Sequence, residues 1–97
     1  MLHALAITFR RPTTLAATLS AVMHQTRPPD RLWVVDNAAQ AEVAALVAKM
    51  EGAVYLPMAA NLGPAGGIHE GIMAVLAEAA DDDWVLLIDD DDPPSSD

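Results

Sequence analysis

Short apolar runs and apolar stripes of helical spacing alternate along this chain. Leu2 to Phe9 is a short apolar run closed by Arg10-Arg11-Pro12, and it reads as a strand. A helix is expected from Pro12 or Thr13, with a Thr cap and Pro in the first turn. Leu15, Leu19, Val22 and Met23 then recur at the spacing of one helix face, and Arg27-Pro28-Pro29-Asp30 ends the element. Leu32-Trp33-Val34-Val35 reads as a buried strand stopped by Asp36-Asn37. Val43, Leu46, Val47 and Met50 mark a second helix over 41–51, with Gly52 as its C-terminal stop. Ala53-Val54-Tyr55-Leu56 is a short third strand. The glycine-rich segment from Asn61 to Gly67 reads as a loop, followed by a third helix carrying Ile68, Ile72, Val75 and Leu76. Trp84-Val85-Leu86-Leu87-Ile88 has the length and composition of a fully buried fourth strand.

The order β-α-β-α-β-α-β implies an open, mostly parallel, Rossmann-like α/β sheet joined by right-handed crossovers. All strands of such a sheet end on one rim, where α/β folds hold their ligands. Thr8 to Arg11, Asp36-Asn37, the glycine-rich segment and the four consecutive aspartates Asp89 to Asp92 all fall at strand ends. Four polar features on one rim make a site, although four aspartates in isolation would read as a solvated tail.

Composition narrows the chemistry. The 97 residues make a single small domain, and 53% of them are hydrophobic while 4% are aromatic, so the core is aliphatic. Cysteine is absent, which excludes disulfides and thiolate metal sites. No apolar run approaches the roughly 18 residues of a membrane span, and the first residues lack signal-peptide features. The expected location is cytoplasmic, and an enzyme at the inner face of the membrane fits equally. Net charge is −9, with the acids concentrated from Glu78 onward and no base after Lys49. Nucleic-acid binding through a cationic face is therefore excluded as a reading, and cations should gather at the aspartates.

Each rim feature has two readings from its residues alone. The Asp36 carboxylate can accept hydrogen bonds from a ligand, or close an Asx-type turn or helix cap. The segment around Gly63, Gly66 and Gly67 can bring backbone amides to a phosphate or ribose, or simply make a tight turn; it lacks the Walker and Gly-x-Gly-x-x-Gly spacings. Arg10 and Arg11 can pair with a diphosphate or lie solvated. Oxygen ligands at Asp89 to Asp92 suit Mg²⁺ or Mn²⁺. His3, His24 and His69 lack metal-type spacing and read as structural or surface residues. Asp81 to Asp83, on the opposite rim, read as a solvated turn.

Taken together, Thr8-Phe9-Arg10-Arg11-Pro12, Gln25-Thr26-Arg27-Pro28-Pro29, Val34-Val35-Asp36-Asn37-Ala38, Asn61 to Gly67 with Gly71, and Ile88-Asp89-Asp90-Asp91 with Pro94 resemble inverting family 2 glycosyltransferases. The three aspartates and Pro94 resemble the rhamnosyl- and galactofuranosyltransferase-like subgroup. The resemblance implies the N-terminal, donor-binding half of a glycosyltransferase-A-type domain, with residues 93–97 as a disordered tail. It implies that Thr8, Phe9 and Arg10 line a nucleotide pocket, that Asp36 contacts a uracil or thymine base, and that Asn61, Gly66, Gly67 and Asp90 border the nucleotide-sugar. Asp89 and Asp91 would hold Mg²⁺ or Mn²⁺ on the diphosphate of a UDP- or dTDP-linked donor.

Two departures accompany the resemblance. Asn37-Ala38-Ala39-Gln40 stands where the family usually has Asn-Ala-Ser and then Asp. The chain is also shorter than such enzymes, so the catalytic base and acceptor site are expected beyond residue 97, and the 97 residues are expected to be inactive alone. Self-association through an exposed sheet edge is a further expectation. The alternative is a non-catalytic nucleotide- or metal-binding α/β module. A phosphotransfer receiver is disfavoured because no Lys follows residue 49, and a haloacid-dehalogenase-like hydrolase because Leu2 to Phe9 contains no acid.

Overall fold

The computed structural model describes residues 1–10, 12–25, 28–61 and 63–89. The chain runs β1 (Leu2–Thr8), α1 (Pro12–Met23), β2 (Arg31–Asp36), α2 (Ala41–Ala48), β3 (Ala53–Pro57), α3 (Gly63–Glu78) and β4 (Trp84–Asp89). Four parallel strands form one sheet in the order β3-β2-β1-β4. The chain steps outward from β1 to β2 and β3, then returns to the other side of β1. The topological switch point therefore lies between β1 and β4, where open α/β sheets leave a crevice at their strand ends. This is the α/β, Rossmann-like arrangement expected of the N-terminal half of a glycosyltransferase-A domain. Among the described residues no helix is long and apolar enough to cross a membrane.

Two aliphatic layers hold the sheet. On one face Leu15, Leu19 and Val22 of α1 and Val43 and Val47 of α2 pack on Ala4, Ala6, Leu32, Val34 and Ile88. On the other, Val75 and Ile72 of α3 pack on Leu5, Trp33 and Val35. Small Ala4 and Ala6 opposite large leucines let the helices sit close, and each fully buried leucine stabilises the fold by about 1.5–3 kcal/mol. Helix α3 comes closest at two glycines four residues apart. A Cβ on Gly67 would lie 2.9 Å from Ile7 Cγ2, and one on Gly71 would lie 2.6 Å from Leu5 Cδ1. Only hydrogen at those positions permits this approach of helix to sheet.

Three elements differ from the pattern-based reading. Helix α2 ends at Ala48, because Lys49 and Met50 turn back on Leu46 and Val47 with i→i−3 hydrogen bonds. The glycine-rich segment is helical from Gly63, not a loop as far as Gly67: Asn61 Oδ1 accepts the Gly63 N–H at 2.9 Å, and Pro64 lies in the first turn. Finally, β4 is not a fully buried strand. Ile88 is buried, but Trp84 is 76% and Leu87 52% exposed. β4 pairs with β1 alone, and α3 lies over β1 and β2. An apolar run records that a strand can be covered, not what covers it.

The rim at the strand starts is tied by an unanticipated cluster. Trp33 Nε1 donates to His3 Nδ1 at 3.1 Å, so the ring proton of neutral His3 sits on Nε2, 2.9 Å from Asp83 Oδ2. Asp83 also accepts the Ala80 N–H and the Met1 ammonium, each at 3.0 Å. The His3 ring, then the Ala80 amide and the chain's ammonium group, hold the Asp83 carboxyl far below the usual carboxylate range. Asp83 is thus a fastening between β1, β2 and the α3–β4 turn, not a solvated turn residue.

Candidate functional site

The strand-end rim is organised around Asp36. Parallel register sets Asp36, the last residue of β2, beside Thr8, the last residue of β1. Alternation along the strands puts both on the α1/α2 face, after Ala4 and Ala6 and after Leu32 and Val34. Asp36 has no exposed surface. Its Oδ1 accepts the Ala38 N–H at 3.0 Å; its Oδ2 accepts the Gln40 N–H at 2.8 Å and the Tyr55 hydroxyl at 2.7 Å. Its main-chain carbonyl accepts the Met58 and Ala39 amides at 2.9 and 3.4 Å. One residue therefore joins the β2–α2 turn to β3 and to the segment after it.

The turn so held is strained. Ala39 has φ +48°, in the left-handed region that a residue with a Cβ enters only at a cost. The Asp36 bonds to Ala38 and Gln40 flank it on both sides. Burial, then the hydrogen bond to Asp36 and the charge of that carboxylate, push the Tyr55 phenol up to about 12. Nearby polarity is incompletely matched: Thr8 Oγ1 and Gln40 Oε1 are buried without a hydrogen-bond partner among the described residues. Such atoms are uncommon in folded proteins, and both belong to the segments that end β1 and follow β2.

Two neighbouring segments complete the rim. Asn37 links the turn to α3, its N–H donating to Thr8 O at 2.9 Å and its Nδ2 to Gly63 O at 3.3 Å. Asn61 caps α3 through Gly63, leaving the first turn of that helix beside the ends of β1 and β2. Gly66 is half-buried there and Gly67 buried. Beyond β1, Phe9 and Arg10 are exposed, Arg10 at φ +54° with its guanidinium 5.1 Å from the Phe9 ring centre. On the far side of the switch point the Asp89 backbone registers with Ile7.

The structure thus brings Thr8, Asp36, Asn61, Gly66 and Gly67 to one rim, with Phe9 and Arg10 at its edge and β4 delivering Asp89 to the same end. Asp90 and Asp91 lie outside the described residues, as does the tail at 93–97. Among the described residues no group of three or more acidic or histidine side chains is placed to hold a metal. The expected metal ligands are the aspartates at and beyond Asp89, an all-oxygen donor set that fits a hard divalent cation. Sequence reasoning missed Tyr55 and Gln40. Tyr55 carries a signal: a lone hydroxyl on an otherwise apolar strand must find a partner once buried.

The sequence matches glycosyl transferase family 2 over residues 4–97, from within β1 through the aspartate run. The chain belongs to glycosyl transferase family 2. It is 46% identical over 81 residues to galactofuranosyltransferase GlfT1 of Mycobacterium tuberculosis, covering 80% of this chain and 27% of that protein. The protein of the same name from Mycolicibacterium smegmatis is 43% identical over 79 residues, covering 80% of this chain and 26% of its own length. The chain therefore spans about a quarter of the curated relatives it matches. As a glycosyl transferase family 2 sequence, it matches across all the segments that form the rim.

Proposed function

We propose that this chain is the donor-binding part of an inverting glycosyltransferase, holding a nucleoside-diphosphate sugar at the ends of β1, β2 and β4. The observation that carries the reading is the convergence of Thr8, the Asp36 turn and the start of α3 beside the switch point, with β4 ending at Asp89 on the same rim. The nucleoside lies along the ends of β1 and β2, bordered by Thr8, Phe9 and Arg10, with the Asp36 turn forming its floor. Asn61, Gly66 and Gly67 border the ribose and sugar, and Asp90 the sugar. Asp89 and Asp91 hold Mg²⁺ or Mn²⁺, which when bound neutralises the diphosphate leaving group. The donor is UDP- or dTDP-linked, and galactofuranose is the first sugar to test because the mycobacterial relatives are named for its transfer.

Transfer further requires a carboxylate to deprotonate the acceptor hydroxyl. We place that base and the acceptor site outside this stretch, so the 97 residues bind donor without turnover. Association of two copies along the outer edge of β4 belongs to the same reading, since an unpaired apolar edge invites pairing.

Calorimetric titration with UDP and dTDP in the presence of Mn²⁺ tests the proposal. Metal-dependent binding is expected for the native sequence, with at least tenfold loss in Asp89→Ala/Asp91→Ala. Binding of neither nucleotide would leave a folded module without the donor site.

A further inference from the structure

A carboxylate at the end of β2 invites assignment as a direct contact to the nucleotide base, but the geometry points elsewhere. We infer that Asp36 is a positioning residue which, locked by Tyr55, holds the Ala38–Gln40 turn in its strained conformation as the floor under the base and does not touch the base's hydrogen-bonding edge. The inference rests on the donor-binding reading above and concerns how that site is built.

Three observations converge. Asp36 has no exposed surface, so a ligand arriving at this rim meets other atoms first. Its carboxylate already accepts three hydrogen bonds, from Ala38, Gln40 and Tyr55. The one lone pair left, on Oδ1, is out of reach of a base, because Asp36 has no surface open to the rim. Last, the two main-chain donors flank Ala39, whose φ of +48° has no glycine to excuse it. Backbone strain maintained by a buried carboxylate is a device for fixing a loop. The Tyr55 hydroxyl completes it, reaching across from β3 to hold Oδ2 in place. Asn37 then carries the same geometry to Gly63 at the start of α3.

A direct contact and a positioning role differ in how they read the base. Uracil offers an N3–H donor that a carboxylate accepts, whereas cytosine offers an acceptor there. An Asp36 that touched the base would set the preference for UDP over CDP. An Asp36 that only shapes the turn leaves that preference unchanged while weakening both nucleotides.

The test is calorimetric titration of UDP and CDP, each with Mn²⁺, against the native chain, Tyr55→Phe, Asp36→Asn, and Tyr55→Phe/Ala39→Gly. Tyr55→Phe is expected to weaken UDP and CDP by the same factor, roughly fivefold, the equivalent of one hydrogen bond. Asp36→Asn should weaken both further at a constant ratio. Glycine takes a left-handed φ without strain, so Ala39→Gly should restore at least half of the loss in the Tyr55→Phe background. A UDP/CDP ratio that collapses in Asp36→Asn overturns the inference, as does a Tyr55→Phe chain whose affinities stay within twofold of native, or an absent glycine rescue. Should Asp36→Asn not fold, the near-isosteric Tyr55→Phe carries the comparison. A native chain that binds neither nucleotide removes the donor-binding reading and this inference together; the other adverse outcomes remove this inference alone.

Discussion

The Tyr55 hydroxyl donates to Asp36 Oδ2 at 2.7 Å, two strands being joined at the point where β2 gives way to its turn. The phenol is the only tyrosine of the chain, so its ionisation can be followed alone. Because burial and the neighbouring carboxylate raise it to about 12, its absorbance should rise well above the ordinary value of about 10. For a raised tyrosine, the stabilising contribution is intact below about pH 10 and is lost as the pH climbs toward the folded value. Alkaline titration at 295 nm should show the late rise, and Asp36→Asn should bring it earlier.

Gly71→Ala should destabilise the fold although alanine is the better helix former. The propensity gain is about 1 kcal/mol. Against it stands a Cβ placed 2.6 and 2.9 Å from the two Leu5 methyls and 3.1 Å from Val35 Cγ2, all in a packed interior. Overpacking of this kind costs typically 1–3 kcal/mol, and here it should outweigh the gain, leaving a net loss of about 1 kcal/mol. Urea denaturation reads it as a lowered midpoint with an unchanged slope.

The Asp83 fastening should make the protein acid-sensitive in a defined direction. Its carboxyl is lowered in the folded state, so its contribution is complete above the unfolded value of about 4 and fades as the pH falls below it. Urea midpoints measured from neutral pH down to about pH 2 should decline across that window. In Asp83→Asn the neutral-pH midpoint should be lower and the decline shallower.

The outer side of β4 should govern how the protein behaves with concentration. Trp84, Leu86 and Leu87 are exposed on the edge of the sheet. Leu87→Lys or Trp84→Lys should reduce self-association and binding of a hydrophobic dye, with folding stability within about 0.5 kcal/mol of native, as for ordinary surface substitutions. Sedimentation across a concentration series and circular dichroism separate the two effects.

The parts of this architecture written in local pattern were legible in the sequence. Alternating runs and stripes, with Pro12 and Gly52 as punctuation, predict seven elements in the observed order. Strand ends carrying Thr8 and Asp36 predict a shared rim. Relationships that depend on who packs against whom were not legible. The run from Trp84 to Ile88 looks buried because its residues are apolar, but helix α3 crosses the neighbouring strands instead. Asp83 looks solvated because two aspartates precede it, and only the fold brings His3 within 2.9 Å. Asp36 presented a choice between ligand contact and turn chemistry. The structure supplies its turn bonds, and the partner that sequence reading omitted was Tyr55.

The return of the chain to the far side of β1 also has a temporal meaning. Of the four strands described β1 is made before the others, yet one of its two neighbours is β4, the latest of the four, with Leu2 opposite Trp84. The first three strands can pair as they are synthesised, while β1 keeps one edge open until residues 84–89 arrive. Such a long-range parallel closure is slow to form. A nascent chain that pauses before Trp84 would carry a central strand with one edge unpaired, so the strand that completes the rim is also the one on which early misassembly turns.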